Sequence, residues 1–156
     1  MHALPVLRLL KRHRPESRVC WWIDSDLLPL LAGDPDLEAL IPFHRRRWGH
    51  PRHWHELWNS IRHLRAWHFD WVIDLQSLAR SSIVAWLANG RLTVGLDDPR
   101  EGACALYDIA VRRPSFHTHA VDWYLRVLTA LEVPIDRPFD WLPERPVAAA
   151  AIRNRW

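Results

Sequence analysis

No run in this sequence approaches the roughly 18 apolar residues of a membrane span, and the opening MHALPVLRLLKRH has neither the basic leader nor the small-residue cleavage site of a secretory signal. Neither insertion nor secretion is expected, and a cytoplasmic location follows. Cysteine is nearly absent. Cys20 lies in a strand-like run and Cys104 in a mixed segment, without metal-type spacing, so two buried free thiols are expected rather than a disulfide or a nucleophile. No internal repeat is present. With 49% hydrophobic and 25% charged residues over 156 positions, the composition is that of one globular domain and excludes a disordered chain.

One stretch lacks an acidic counterweight. Between His44 and Ala66 stand six Arg (Arg45, Arg46, Arg47, Arg52, Arg62, Arg65) and a single acid, Glu56, a local net of +5 in a chain whose total is +3. The remainder therefore carries −2, and the pI of 9.4 reports one basic patch, not a basic protein. His44, His50, His53, His55 and His63 fall in the same stretch and deepen its charge below about pH 6.5. No nucleic-acid motif accompanies the patch. Trp21, Trp22, Trp58, Trp71, Trp86 and Trp123 fall on expected core faces, so packing is their expected role, not base stacking. His50, His53 and His55, or His117 with His119, offer nitrogens, but no cysteine or carboxylate cluster completes a tetrahedral set, and no metal is expected.

What is present is an alternation of helix and strand. Leu4, Val6, Leu7 and Leu10 recur at helical spacing, with Pro5 in the first turn and Lys11, Arg12 and His13 at the end, where cations suit the helix dipole. RVCWWID (18–24) reads as a buried strand, Ser25 as the cap of a short helix to about Leu31, and ALIPF (39–43) as the next strand, ended by Pro42. A helix follows from His53 to about Trp67 with a Trp and Leu face (Trp54, Leu57, Trp58, Ile61, Leu64). Then come WVIDLQ (71–76) as a strand, a helix from about Leu78 stopped by Asn89-Gly90, LTVGLD and ALYDIAV as strands, and an amphipathic helix from His119 to Glu132. Such alternation predicts an α/β fold, a doubly wound parallel sheet with helices on both faces. From Val133 the chain changes character: Pro134, Pro138, Pro143 and Pro146 precede PVAAAAIRNRW, the start of another helix.

Three stretches, HALPVLRLLKRHRPESRVCWWID, VIDLQSLARSSIVAWLANG, and VGLDDPREGACALYDIAV followed by HAVDWYL, together resemble the amino-terminal domain of glycosyltransferase family 9, the ADP-heptose:lipopolysaccharide heptosyltransferases. The resemblance implies the Rossmann-like first half of a glycosyltransferase-B fold. In that fold the first domain receives an anionic, lipid-linked glycan acceptor, the second binds a nucleotide sugar such as ADP-heptose, and transfer inverts the sugar without a metal, at the inner face of the cytoplasmic membrane. Family members begin with a strand and a turn reading roughly S-S-L-G-D-[IV] ahead of the equivalent of His2, and the Asp of that turn is taken as the general base. The resemblance thus places a first strand and the catalytic carboxylate before Met1. It assigns residues 1–133 to the acceptor-side domain, and 134–156 to a linker and the start of a donor-binding domain. On that reading the 156-residue chain by itself transfers no sugar. A glycan-binding module without chemistry, or a truncated reading frame, is the alternative.

Carried onto this sequence, the resemblance assigns acceptor binding to Arg46 and Arg47 of IPFHRRRWGH. An Arg fork offers bidentate hydrogen bonds to carboxylate or phosphate, and Trp48 would offer a stacking face to a sugar ring. Gly49 stands where relatives carry a further basic residue. Arg100 of DDPREG matches another acceptor contact, with Glu101 as a structural partner. Asp74 and Gln76 lie at the carboxyl end of a strand, where doubly wound sheets place ligands; a carboxylate bonded to backbone amides is the competing reading for Asp74. Ser77 replaces the family's usual Gly, Arg80 keeps the following basic position, and His119 matches a family His, with helix capping as its other reading.

Overall fold

A computed structural model describes residues 2–48, 50–98 and 102–136 of the chain. Arg100, Glu101, Gly49 and the expected helix near the end of the sequence lie outside the described residues. Five strands, β1 (Cys20–Asp24), β2 (Ala39–Phe43), β3 (Trp71–Asp74), β4 (Leu92–Asp97) and β5 (Ile109–Arg112), alternate with six helices, α1 (Leu4–His13), α2 (Leu28–Leu31), α3 (Arg45–Trp48), α4 (Trp54–Ala66), α5 (Ala79–Ala88) and α6 (Ala120–Ala130).

Local chemistry accounts for most of the boundaries. Pro5 occupies the first turn of α1 and Lys11, Arg12 and His13 its last, while Leu4, Val6, Leu7, Leu9 and Leu10 are buried. Asn89 ends α5 in the left-handed region at φ 57°. The turn after β1 departs from expectation. Asp24, not Ser25, caps it, its Oδ1 accepting from the Asp26 amide at 3.1 Å, and the first residues, Ser25–Leu27, form a 3-10 turn. Pro42 does not end β2 but sits within it, tolerated because β2 pairs on one side only among the described residues. ALYDIAV is not one strand: Ala103–Leu106 form a 3-10 turn, and the Asp108 carboxylate takes the Thr93 amide at 2.7 Å before β5 begins.

Every ladder is parallel, and the sheet is divided where the resemblance assigns an additional strand. Among the described residues β1 pairs with β2, β3–β4–β5 form a second sheet, and no ladder joins β1 to β3. Shared helices nevertheless hold both sheets in one layer, and side-chain alternation along the strands shows it. Trp21, Ile23 and Leu40 point to the face covered by Leu4 and Leu7 of α1 and Leu31 of α2. Trp71, Ile73, Val94 and Leu96 point to that same face, under α1 and α6. Trp22, Ile41 and Val72 point the other way, against Leu64 of α4 and Val84 and Ala88 of α5. Val19, at the foot of β1, packs into both clusters on the α1 face. The resemblance assigns its additional strand to this boundary between β1 and β3.

Of the tryptophans expected in the core, Trp123 is buried, and Trp21, Trp22 and Trp71 pack against core clusters. Trp58 and Trp86 do not: they are exposed on α4 and α5. Ile61 and Leu64 anchor α4 instead, and the small residues Ser81, Ser82, Ala85 and Ala88 bring α5 down on the sheet. Among the described residues no helix is long and apolar enough to cross a membrane.

Candidate functional site

Every described candidate residue lies at or beyond the carboxyl end of a strand. Arg46, Arg47 and Trp48 follow β2, Asp74 ends β3 with Gln76 and Arg80 after it, and His119 follows β5. Helix α4 leaves the end of β2 and delivers the chain to the start of β3, so both sheets run in one direction and these residues share one rim, where parallel sheets present their ligand sites.

The basic segment is organised by the one acid within it. Arg47 donates from Nη2 to Oε1 of Glu56 at 2.6 Å, the Trp48 indole N–H donates to Oε2 at 3.3 Å, and His53 Nδ1 lies 3.0 Å from Oε1. His53 most of all, then Trp48 and the Arg47 charge, hold the Glu56 carboxyl below its ordinary range. Three side chains from α3 and the turn after it are thereby tied to the first turn of α4. Trp48 is only 7% exposed. Its ring meets Phe43 and His44 edge-on at centroid distances of 5.3 and 5.6 Å, so it is a wedge under the segment and not an open platform. Arg46 is exposed. Beside this cluster an open groove of about 390 Å³ is lined by Ile41, Pro42, His44, Trp48, Glu56 and His63 among others. Glu56 is the site residue that sequence reasoning passed over, and its signal was its solitude among six arginines.

Between β3 and β4 a second polar cluster is almost sealed. Asp74, 6% exposed, accepts the Gln76 amide on Oδ1 at 2.8 Å and the Tyr107 hydroxyl on Oδ2 at 2.8 Å. Burial, then the Asp74 charge, pushes the Tyr107 phenol far above its ordinary value, so it stays a donor. The Tyr107 ring packs against Gly95, where a Cβ would come within 2.3 Å of it. Ser77 adopts φ 56°, the left-handed region that favours glycine, which gives a physical reason for the Gly that the resemblance places there. Its hydroxyl donates to the Leu96 carbonyl and accepts from the Asp98 amide at 3.2 Å. Asp74 thus sets the turn that presents Gln76, which is exposed, as is Arg80 on α5. Tyr107 is the second residue that sequence reasoning missed, for it lies 33 positions from its partner.

His119 caps α6, its Nδ1 accepting from the Val121 amide at 3.3 Å, and its ring meets that of His2 edge-on at 5.7 Å. The structure thus gives His119 the capping role. Cys20 and Cys104 are free and only partly buried, and burial first, then Glu38, raises the Cys20 thiol. Among the described residues no three His, Cys, Asp or Glu side chains are gathered as a metal site.

A sequence model of glycosyltransferase family 9 (heptosyltransferase) matches residues 57–147, more than half the chain. The chain belongs to glycosyltransferase family 9. A relative, the lipopolysaccharide core heptosyltransferase OpsX of Haemophilus influenzae, is 23% identical over 139 residues, covering 88% of this chain and 38% of the relative. The solved E. coli heptosyltransferase WaaC with ADP superposes with a TM-score of 0.76 at 24% identity over 88% of this chain and 45% of that one. A family 9 glycosyltransferase from Veillonella parvula gives 0.72 at 23% identity over 92% and 41%. E. coli ADP-heptose lps heptosyltransferase II gives 0.67 at 18% over 99% and 46%. This family 9 chain therefore has the α/β fold of the heptosyltransferase structures and spans less than half the length of each of these relatives.

Proposed function

We propose that this family 9 chain is the acceptor-binding half of a heptosyltransferase-like enzyme. The whole enzyme would move heptose or a related sugar from an ADP-heptose-like nucleotide sugar to the anionic, lipid-linked inner-core glycan of lipopolysaccharide or a similar envelope glycan, at the inner face of the cytoplasmic membrane. Residues 1–133 would form the acceptor domain and 134–156 the way into a donor-binding domain. Family membership supports the reaction class, and the share of each relative that this chain covers supports the assignment to one half.

The observation that carries the acceptor assignment is the pair Arg46 and Arg47 at the rim, both exposed and one of them aimed by Glu56. A guanidinium already held in place loses less side-chain freedom when it meets a carboxylate or phosphate. The chain's own residues thus bind and orient: Arg46 and Arg47 hold the acid group, and Gln76 and Arg80 present polar contacts from the next strand end. Trp48 supports the segment from below. Arg100 joins them by resemblance.

Calorimetric titration with an acidic inner-core oligosaccharide tests the reading. Each charged hydrogen bond lost is worth about 1.5–3 kcal/mol, so Arg46→Ala/Arg47→Ala is expected to weaken binding at least tenfold. Glu56→Gln, which leaves both arginines but releases Arg47, is expected to fall between wild type and the double variant. Unchanged affinity in the double variant would refute the assignment.

A further inference from the structure

Helices α4 and α5 pack side by side on one face of the sheet, and their outer surface carries tryptophan where a solvated helix carries charge. Trp54 and Trp58, one helical turn apart on α4, are 60% and 56% exposed, and Ile83 and Trp86 on α5 are 46% and 57% exposed. Helical spacing continues Trp54 and Trp58 into Arg62 and Arg65 along a single stripe, and both arginines are exposed. His55 and Arg80 are exposed on the same two helices. None of the exposed positions of α4 or α5 is Asp or Glu. The one acid of the pair, Glu56, is turned into Arg47, Trp48 and His53.

Large exposed apolar side chains rimmed by charge mark an interaction surface, and the sign of the charge selects the partner. A two-fold contact with a second copy would bring together two faces of the same net positive charge, with no acid exposed on either, and like charge opposes it. A surface of anionic phospholipid inverts that term, attracting each nearby arginine by about fivefold in affinity. Indole rings also favour the headgroup level, where the apolar body leaves water and the N–H stays wet. A pair of helices lying flat, with tryptophan and isoleucine inward and arginine around them, has the amphipathic composition of an interfacial element.

We propose that the outer face of α4 and α5 docks on an anionic phospholipid surface. The same α4 begins at the rim with the contact between Arg47 and Glu56, so a protein lying on this face keeps Arg46 and Arg47 beside the headgroups. The inference deepens the transferase reading, whose lipid-linked acceptor lies in such a surface, but lipid docking itself needs neither acceptor nor nucleotide sugar.

Co-sedimentation of the 156-residue chain with vesicles, in the absence of any glycan, tests it. On vesicles of phosphatidylcholine containing roughly one-third phosphatidylglycerol, binding is expected at least tenfold tighter than on pure phosphatidylcholine, and it is expected to fall as salt rises. Arg62→Glu/Arg65→Glu is expected to lose more than about 25-fold, and Trp54→Ala/Trp58→Ala about tenfold. Phe116→Ala, at a position 94% exposed between β5 and α6, is expected to bind as wild type. Because the replaced side chains are exposed, far-ultraviolet circular dichroism of each variant is expected to match wild type, and Trp86→Gln serves as a second apolar variant. Equal binding to both vesicle types, or wild-type binding by the face variants, would overturn the proposal. So would a concentration-dependent dimer, in sedimentation velocity without lipid, that the tryptophan variants abolish. Anionic-vesicle binding that persists while the oligosaccharide titration fails would sink the acceptor assignment and leave this face standing.

Discussion

Replacing Gly95 by alanine would strike the tightest glycine contact among the described residues. An alanine Cβ there would lie 2.3 Å from Cε2 and Cζ of Tyr107 and 2.6 Å from Cδ2. Ordinary carbon contacts begin near about 3.5 Å, so the ring has to withdraw by about 1 Å or strand β4 has to give way. Neither is easy. Strand β4 is paired on both sides, to β3 and to β5, and Tyr107 is held at its far end by the 2.8 Å hydrogen bond to Asp74 Oδ2. A ring that retreats breaks that bond and leaves the sealed Asp74 carboxylate with its Gln76 contact on Oδ1. Overpacking of a core costs about 1–3 kcal/mol, and a hydrogen bond to a charged group is worth about 1.5–3 kcal/mol. A loss of about 4 kcal/mol is therefore expected, a large part of the roughly 5–15 kcal/mol of a typical domain. Urea denaturation at neutral pH, followed by far-ultraviolet circular dichroism, measures it as a lower midpoint at unchanged slope. The tether can be isolated with Tyr107→Phe, which keeps the ring and removes the hydroxyl. In that background the ring is free to move, and Gly95→Ala is expected to cost at least about 1 kcal/mol less than in wild type. Two results would refute the reasoning: Gly95→Ala within about 0.5 kcal/mol of wild type, or strictly additive costs in the double variant.

The same hydroxyl sets an alkaline limit. Its folded value is raised, so the stability it contributes is fully present below the unfolded phenol value of about 10 and is lost as pH climbs beyond it, by about 1.4 kcal/mol per pH unit. Urea midpoints at pH 9, 10 and 11 are expected to fall more steeply for wild type than for Tyr107→Phe, and parallel curves would count against the assignment. The boundary between β1 and β3 makes a different prediction, because among the described residues each of these strands has an edge without a ladder there, under common helices. An apolar strand and glycine turn added ahead of His2 is expected to raise the melting temperature by about 2–4 °C for each kcal/mol gained and to sharpen the transition. An unchanged melt would show that the boundary does not accept a strand.

Helix α1, the Asn89-Gly90 stop and the parallel alternation were legible in the sequence because each rests on interactions within one or two turns of chain. Proline in a first turn, cations in a last turn and a left-handed Asn need no distant partner. The apolar run RVCWWID likewise read as a buried strand, and a strand's geometry alone sends Trp21 and Ile23 to one face and Trp22 to the other. The family resemblance was equally a property of residue order. Which tryptophans are inside was not. On α4 an arc containing Trp54 and Trp58 adjoins one containing Ile61 and Leu64, and only the approach of α5, through Val84 and Ala88, decided which arc would be covered. The site divides in the same way. The basic patch is written in consecutive residues, but the orientation of Arg47 depends on Glu56, nine positions away, and that of the turn presenting Gln76 depends on Tyr107 reaching Asp74 across Gly95. Local sequence sets helix and strand through short-range sterics and hydrogen bonds; which side chains face one another across the fold is set by how those elements pack, and that is a property of the whole chain.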